Sequence, residues 1–411
     1  MKVTTVGRCS YVLVTDASVN AALAVIRSLG SKGIPIMAGD YVVPSPGLAS
    51  KYCAVRLRYP NPYRSKRAFL KFVLNLVQRE RIDLIIPITD ITASIMSAHK
   101  EELEEYTRVA IPDFNVFIKA LNKAVTIKIA QENGIPCPRT FFPEDMSDVK
   151  KVARLIRYPA VIKPRMSIAW LGDKAVRLPI ASRNIAYSPN DLVSKYERLI
   201  SKYAPFLMPD NFPLVQEYIP GVGCGVELLM AHSSVKAFFM HKRLREYPPS
   251  GGVSTLRVSI WDDRLYEFGT HLLQAMKWEG VAMVEFKLDS RDGMPKLMEV
   301  NGRFWGSLPL AIASGVDFPY LLYQLMLEGD VKPPKGYKIG VVRRWLLPGD
   351  MLWLLLSLTS GGSARCIRDF MAAFRFPCDV VSIDDLFPSL ATLGLLLRYS
   401  LDILRGGRIS R

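Results

Sequence analysis

Apolar and polar positions change period repeatedly along this chain. Residues 11–15 (YVLVT) form a short continuous apolar run, and residues 17–29 then read as a helix with Ala21, Leu23, Val25, Ile26 and Leu29 apolar. A second apolar run follows at 34–38 (IPIMA), a helical stretch at 65–81 and a third run at 83–88 (DLIIPI). This alternation predicts a parallel sheet with helices on its faces. Residues 115–133 predict one helix stopped at Gly134, after which Pro136 and Pro138 force extended chain. A helix at 148–157 and a strand at 159–163 come next, and then a polar stretch, 167–190, whose single glycine is Gly172 and which reads as a mobile loop. Beyond a helix at 191–203, the strand 213–219 (PLVQEYI) is broken by Pro220-Gly221, like a hinge between subdomains. Residues 227–240 read as a strand pair, 262–277, 308–315 and 318–328 as helices, and 329–338 as a linker.

Two strands, 282–288 and 296–302, flank the turn-forming residues Ser290, Arg291, Asp292 and Gly293. A turn centred on Asp292 sets Glu285 opposite Glu299, with Asn301 on the same face two residues further on. Two acids and an amide oxygen together would repel one another without a cation, and Mg2+ is the natural hard partner. Arg303 follows on that face, where it can reach an anion held by the metal. A bland hairpin, its acids paired with Lys287, Lys296 or Arg303, is the alternative.

Other candidates are weaker one at a time. Lys163 ends an apolar strand, where a buried ammonium needs an anion; a solvent-exposed strand end explains it equally simply. Backbone groups exposed where 213–219 stops suit a flat base edge, or belong to an edge strand entering a turn. Arg243 and Arg245 alternate with Leu244, so both guanidinium groups point the same way if the strand continues. Ser250, Gly251 and Gly252 offer consecutive N–H groups as an anion nest, or form a basic surface hairpin. His241 has no second ligand at metal spacing.

The 411 residues suffice for two or three domains, and the net charge of +16 suggests anionic partners. The basic residues are scattered and no nucleic-acid motif accompanies them, which argues against a nucleic-acid partner. Six cysteines without a CxxC pair, and an N-terminus without a long apolar core, point to a reducing cytoplasm. The loop after Thr15 lacks GxGxxG, so a dinucleotide site is not expected. Residues 341–411 carry nine Arg and six Asp but no Lys or Glu. There Leu390, Leu393, Leu397, Leu401 and Leu404 form a stripe at helical spacing, read first as packing on the main body and alternatively as a peripheral membrane or partner surface.

In order, NKAVTIKIAQENGIPCPRTF, YPAVIKPR, LVQEYIPG and GVAMVEFKL…LMEVNGRFWGS resemble the ATP-grasp superfamily of carboxylate–amine ligases over residues 10–330. With HKRLREYPPSGGVST, the chain looks like prokaryotic ATP-grasp proteins of the carbamoyl-phosphate synthase and D-aspartate ligase types. The resemblance implies a mixed α/β and α+β fold: an α/β pre-ATP-grasp domain (1–114), a two-subdomain ATP-grasp domain (115–335) and a mainly helical extension (336–411). It implies ATP contacts from Lys123, Lys163, Glu217, Tyr218 and Ile219, and Mg2+ (with Mn2+ as a substitute) on Glu285, Glu299 and Asn301. Arg303 would steady the transferred phosphate. Arg243, Arg245, Ser250, Gly251 and Gly252 are assigned to the acidic substrate. Three departures stand out. Gly302 replaces a common proline and loosens the turn, the phosphate-covering stretch is poor in glycine, and the ribose-binding acid would fall near Cys224, with Glu227 the nearest carboxylate. The expected activity joins a small-molecule carboxylate to an amine through an acyl phosphate; a nucleotide-binding sensor without turnover is the alternative.

Overall fold

A computed structural model describes residues 10–178, 184–207, 211–249, 251–359, 361 and 364–404, with side chains to 398. The three apolar runs hold β1 (Tyr11–Val14), β2 (Ile36–Asp40) and β4 (Ile82–Ile86), and two strands not expected from the sequence, β3 (Cys53–Arg58) and β5 (Arg108–Val109), join them. They form a parallel sheet in the order β3-β2-β1-β4-β5, which places the reversal of strand order between β1 and β4. Such a reversal opens a crevice at the carboxyl ends of the strands. The helix Asp90–Ala98 starts from that end of β4, so Asp90 stands at the mouth.

The helix predicted over 115–133 is two helices, Phe114–Leu121 and Lys123–Glu132. Asn122 separates them: its backbone leaves the helical region and its side chain accepts from Ala124 N, capping the second helix. Lys123 is thereby the first residue of a helix and not a mid-helix side chain.

A small antiparallel sheet follows, ordered β10-β7-β11-β6, from β6 (Thr140–Phe141), β7 (Ala160–Lys163), β10 (Ile185–Ala186) and β11 (Leu214–Glu217). The stretch read as a loop over 167–190 holds a hairpin, β8 (Ile168–Leu171) and β9 (Lys174–Arg177), turned by Gly172 at φ +60°. Its residues 179–183 lie outside the described residues. It packs on both faces, Ile168 against one core cluster and Ala169 with Val176 against another, which the polar look of the stretch hid.

The large sheet is built from β12 (Gly221–Ala231), β13 (Ser234–Tyr247), β14 (Val253–Ser259), β15 (Gly280–Asp289), β16 (Pro295–Asn301) and β17 (Val342–Arg344), ordered β16-β15-β12-β13-β14-β17. The predicted strand pair at 227–240 and hairpin at 282–302 are both part of it. β17 comes from the C-terminal extension, which is therefore continuous with this sheet. Beyond it lie helices Met351–Thr359, Ala364–Ala372 and Phe387–Leu404. The predicted burial of the leucine stripe does not occur: Leu390, Leu393 and Leu397 are 62%, 45% and 66% exposed, because Thr392 and Leu395 form the inward face instead. Leu401 and Leu404 lie outside the described side chains. Among the described residues, no single helix is long and apolar enough to cross a membrane.

Candidate active site

The hairpin register is the one the turn chemistry demands near the acids. Glu285 pairs with Glu299 and Met283 with Asn301, and a bulge after Glu285 displaces the rest of the ladder. Across the sheet, Glu285 also pairs with Gly225, and Gly225 with His241. One row of the sheet thus reads Glu299, Glu285, Gly225, His241, with all four on one face.

That face floors a cleft of about 350 Å3 closed by the small sheet and the crevice of the first domain. Lys123, Lys163, Glu217, Tyr218, Ile219, Arg243, Gly251, Gly252, Glu285, Glu299, Asn301 and Arg303 all line it. Ser250 lies outside the described residues. Arg245 is not brought to the cleft: the ladder slips between Arg243 and Arg245, so the predicted alternation fails. Arg245 instead makes a forked pair with Asp350 at 2.8 and 2.9 Å and stacks on Trp353 at 3.9 Å.

Without a metal the two acids do not simply repel. Glu285 Oε2 lies 2.5 Å from Arg243 Nη2, and Glu299 Oε2 lies 3.2 Å from Lys123 Nζ. Burial pushes the Glu285 carboxyl up against the pull of Arg243, and Glu299 adds to the rise. Burial acts the same way on Glu299, but Lys123, Lys163 and Arg303 outweigh it and hold that carboxyl down to about 2. Lys163 donates to Gln216 Oε1 at 2.5 Å, and withdrawal from water pushes its ammonium down to about 8. Arg303 donates to Asp90 Oδ1 (2.8 Å) and Asn301 Oδ1 (3.1 Å), tying the first domain to the acid row. At the far end of the cleft, Tyr218 N donates to Pro159 O at 3.2 Å and Ile219 O accepts from Lys287 Nζ at 3.0 Å, which fixes the hinge segment.

Gly302 does not loosen the turn. A Cβ there would fall 2.3 Å from Trp278 Cη2 and 3.0 Å from Phe117 Cε2, so the ring of Trp278 occupies the space a proline would take. Asp90, Gln216, His241 and Ser307 also line the cleft and were not expected from the sequence. Asp90 alone carried a usable signal, a carboxylate directly after the third apolar run.

The oxygen donors Glu285, Glu299 and Asn301 suit a hard divalent ion, and the cationic side chains Lys123, Lys163, Arg243 and Arg303 around them suit phosphates.

Residues 211–345 match the family described as ATP-grasp in the biosynthetic pathway with Ter operon. D-aspartate ligase of Enterococcus faecium is 23% identical over 249 residues, covering 57% of this chain and 58% of that protein. The carbamoyl phosphate synthase large chain of Pyrococcus furiosus is 24% identical over 58% of this chain and 22% of its own length. This chain thus spans little more than half of the first relative and about a fifth of the second. Among solved structures, the biotin carboxylase domain of Hydrogenobacter thermophilus 2-oxoglutarate carboxylase, in complex with MgADP and bicarbonate, superposes with a TM-score of 0.64 at 16% identity, over 81% of this chain and 73% of that one. L-amino acid ligase from Bacillus licheniformis gives 0.56 at 18%, over 79% and 78%. The chain has the ATP-grasp fold.

Proposed function

We propose that this protein is an ADP-forming ligase that activates a small-molecule carboxylate with ATP and joins it to an amine. The observation that carries the reading is the acid row: Glu285 faces Glu299 across the ladder, with Asn301 beside them and Lys123, Lys163 and Arg303 in the same cleft. Glu285, Glu299 and Asn301 would hold Mg2+, which when bound would supply positive charge against the phosphates of ATP. Lys123 and Lys163 hold phosphate oxygens, Glu217, Tyr218 and Ile219 present backbone to adenine, and Arg303, anchored by Asp90, meets the charge that develops on the transferring group. Arg243, with the Gly251–Gly252 segment, receives the acidic substrate. A carboxylate-activating enzyme makes an acyl phosphate, which hydroxylamine traps. With ATP, Mg2+ and a pool of amino and dicarboxylic acids, hydroxamate should form in step with ADP and phosphate, and Arg303→Ala should suppress both. AMP and pyrophosphate instead would place the protein in an adenylating class, and tight ATP binding without turnover would favour the sensor.

ATP dependence, and cysteines without disulfides at 53, 137, 224, 366 and 378, support action in the cytoplasm. We propose further that the extension rests on an anionic membrane surface. Met351, Leu355 and Leu358 on one helix, Ile367 and Met371 on the next, and Phe387, Leu390, Leu393 and Leu397 on the last are exposed at helical spacing. Exposed Arg365, Arg368, Arg375 and Arg398 accompany them, against exposed Asp369 and Asp384, while Asp350, Asp379 and Asp385 are buried and engaged by arginines. Apolar stripes rimmed by arginine fit an anionic headgroup layer. The full chain should float with phosphatidylserine vesicles, less so at high salt, and not with phosphatidylcholine. A self-associating chain that ignores both vesicles would assign the stripes to a second copy.

A further inference from the structure

We propose that the part of the cleft beyond Glu285 is the seat of the attacking amine, and that His241, set by Glu227, takes its proton. The proposal rests on the ligase reading above and names the residue its second step needs.

His241 lies two strands from Glu285 in the same row, with Gly225 between them. Two strand spacings put their backbones about 10 Å apart, the width of a small substrate. Gly225 leaves room above the row for the imidazole and the Glu227 carboxylate. A Cβ on it would come within 2.4 Å of His241 Cε1 and 2.9 Å of Glu227 Oε1, so any side chain there would displace the pair. His241 and Glu227 are 1% and 0% exposed, and His241 Nδ1 stands 2.6 Å from Glu227 Oε1. An ionised carboxylate only accepts, so the proton of that bond sits on Nδ1, and the role proposed here is for the ring whose other nitrogen, Nε2, carries the lone pair. The imidazole lines the cleft beside Ser254 and Ser307. Ser307 Oγ donates to Glu227 Oε1 at 3.4 Å, and Glu227 Oε2 is buried with no partner among the described residues. A buried carboxylate with a spare oxygen beside an imidazole steadies the imidazolium that forms when the ring accepts a proton, the role such an acid has in other histidine dyads. Glu227 is a positioning residue in this scheme and His241 the catalytic one.

The step balances with the acyl phosphate as electrophile. The amine nitrogen bonds to the acyl carbon while the carbon–oxygen bond to phosphate breaks, and phosphate leaves with that electron pair. Nε2 of His241 takes the proton that the nitrogen sheds and passes it to the departing phosphate. The chemistry calls for a neutral amine at this spot, and the ammonium ion that prevails in water must be deprotonated to supply it.

Four histidines are present in the chain, so imidazole nitrogen–proton correlation spectra of the full-length protein can be assigned with single His→Gln variants. His241 should show the Nδ1–H tautomer, and Glu227→Gln should change it. A doubly protonated ring, or the Nε2–H tautomer, would mean a structural ion pair and overturn the proposal. Hydroxylamine, largely unprotonated at neutral pH, depends on a base less than ammonia and amino acids do, because they must first lose the ammonium proton. With ATP, Mg2+ and the acid pool, His241→Gln should lower hydroxamate formation far less than it lowers amide formation. Amide formation from ammonia and amino acids should fall about 100-fold or more. Equal loss of both, or loss of neither, would remove the base alone; a wild-type protein that forms no hydroxamate would remove the ligase reading and the base together.

Discussion

Single residues in the cleft carry charge that folding alone does not favour. Lys163 is the clearest case. Withdrawal from water lowers its ammonium to about 8 from the ordinary 10.5, with Lys123 adding to the fall and Glu299 and Glu285 resisting it. The folded chain therefore releases this proton before the unfolded chain does, and stability should rise with pH between about 8 and 10.5. Lys163→Met should abolish that rise and leave neutral-pH stability equal or higher. ATP affinity, measured by calorimetry, should fall roughly tenfold or more, since a charge-assisted phosphate contact of 1.5–3 kcal/mol is lost. A variant that loses stability but binds ATP as wild type would make Lys163 a structural residue. The same logic explains why the acids tolerate each other: Arg243 and Lys123 each take one, a pairing between distant segments that spacing along the chain does not reveal.

At the scale of elements, the β8–β9 hairpin carries the cover of the cleft. Met166, Ser167, Arg177 and Leu178, in it and at its base, line the cavity. Its turn is clamped to the first domain: Asp173 accepts from Ser65 Oγ at 2.5 Å, from Arg67 N at 2.8 Å and, through its carbonyl, from Lys66 N at 3.0 Å. These bonds also satisfy N–H groups at the start of the helix Lys66–Arg79. Asp173→Ala should free the hairpin without unfolding either domain. Hydrogen exchange of amides 168–177 should then accelerate roughly tenfold, because a local opening has lost its closing contacts. Unchanged protection there would mean that Lys66 over Trp170 and the backbone bond from Ala175 to Tyr63 suffice to hold it.

The whole molecule is tied together from its C-terminal end. Asp379 accepts from buried Arg257 of β14, from Arg343 Nε at 3.2 Å and from Asn20 Nδ2 at 3.1 Å, joining the large sheet, β17 and the first domain. Arg27 similarly reaches Asp385 at 2.9 Å. Asp379→Ala would leave Arg257 buried and unpaired, a change that costs about 3–5 kcal/mol, readable as a shift in the denaturation midpoint. A loss below 1 kcal/mol would mean that water reaches Arg257. The same bonds make a chain cut near residue 338 a poor control for membrane binding, since it exposes the β14 edge and strands Arg257; the full chain is the proper subject.

Apolar periodicity and turn residues, both local, sufficed for the parallel sheet, the acid hairpin and its register, because strand alternation and a short turn leave few other arrangements. The resemblance in motif order named Lys123, Lys163, Glu217, Tyr218, Ile219, Glu285, Glu299, Asn301 and Arg303, all of which line the cleft. What needed the folded chain was everything set by contacts between distant segments. The Asn122 cap split a predicted helix, and a bulge at Leu244 sent Arg245 away from the cleft to Asp350. The leucine stripe faces outward because Thr392 and Leu395, not the stripe, meet the body of the protein. His241 acquired meaning only when sheet order set it across Gly225 from Glu285, forty-four residues away in the chain and two strands away in space. A sequence records which residues can share a face; which faces meet is decided by packing that involves the whole chain at once.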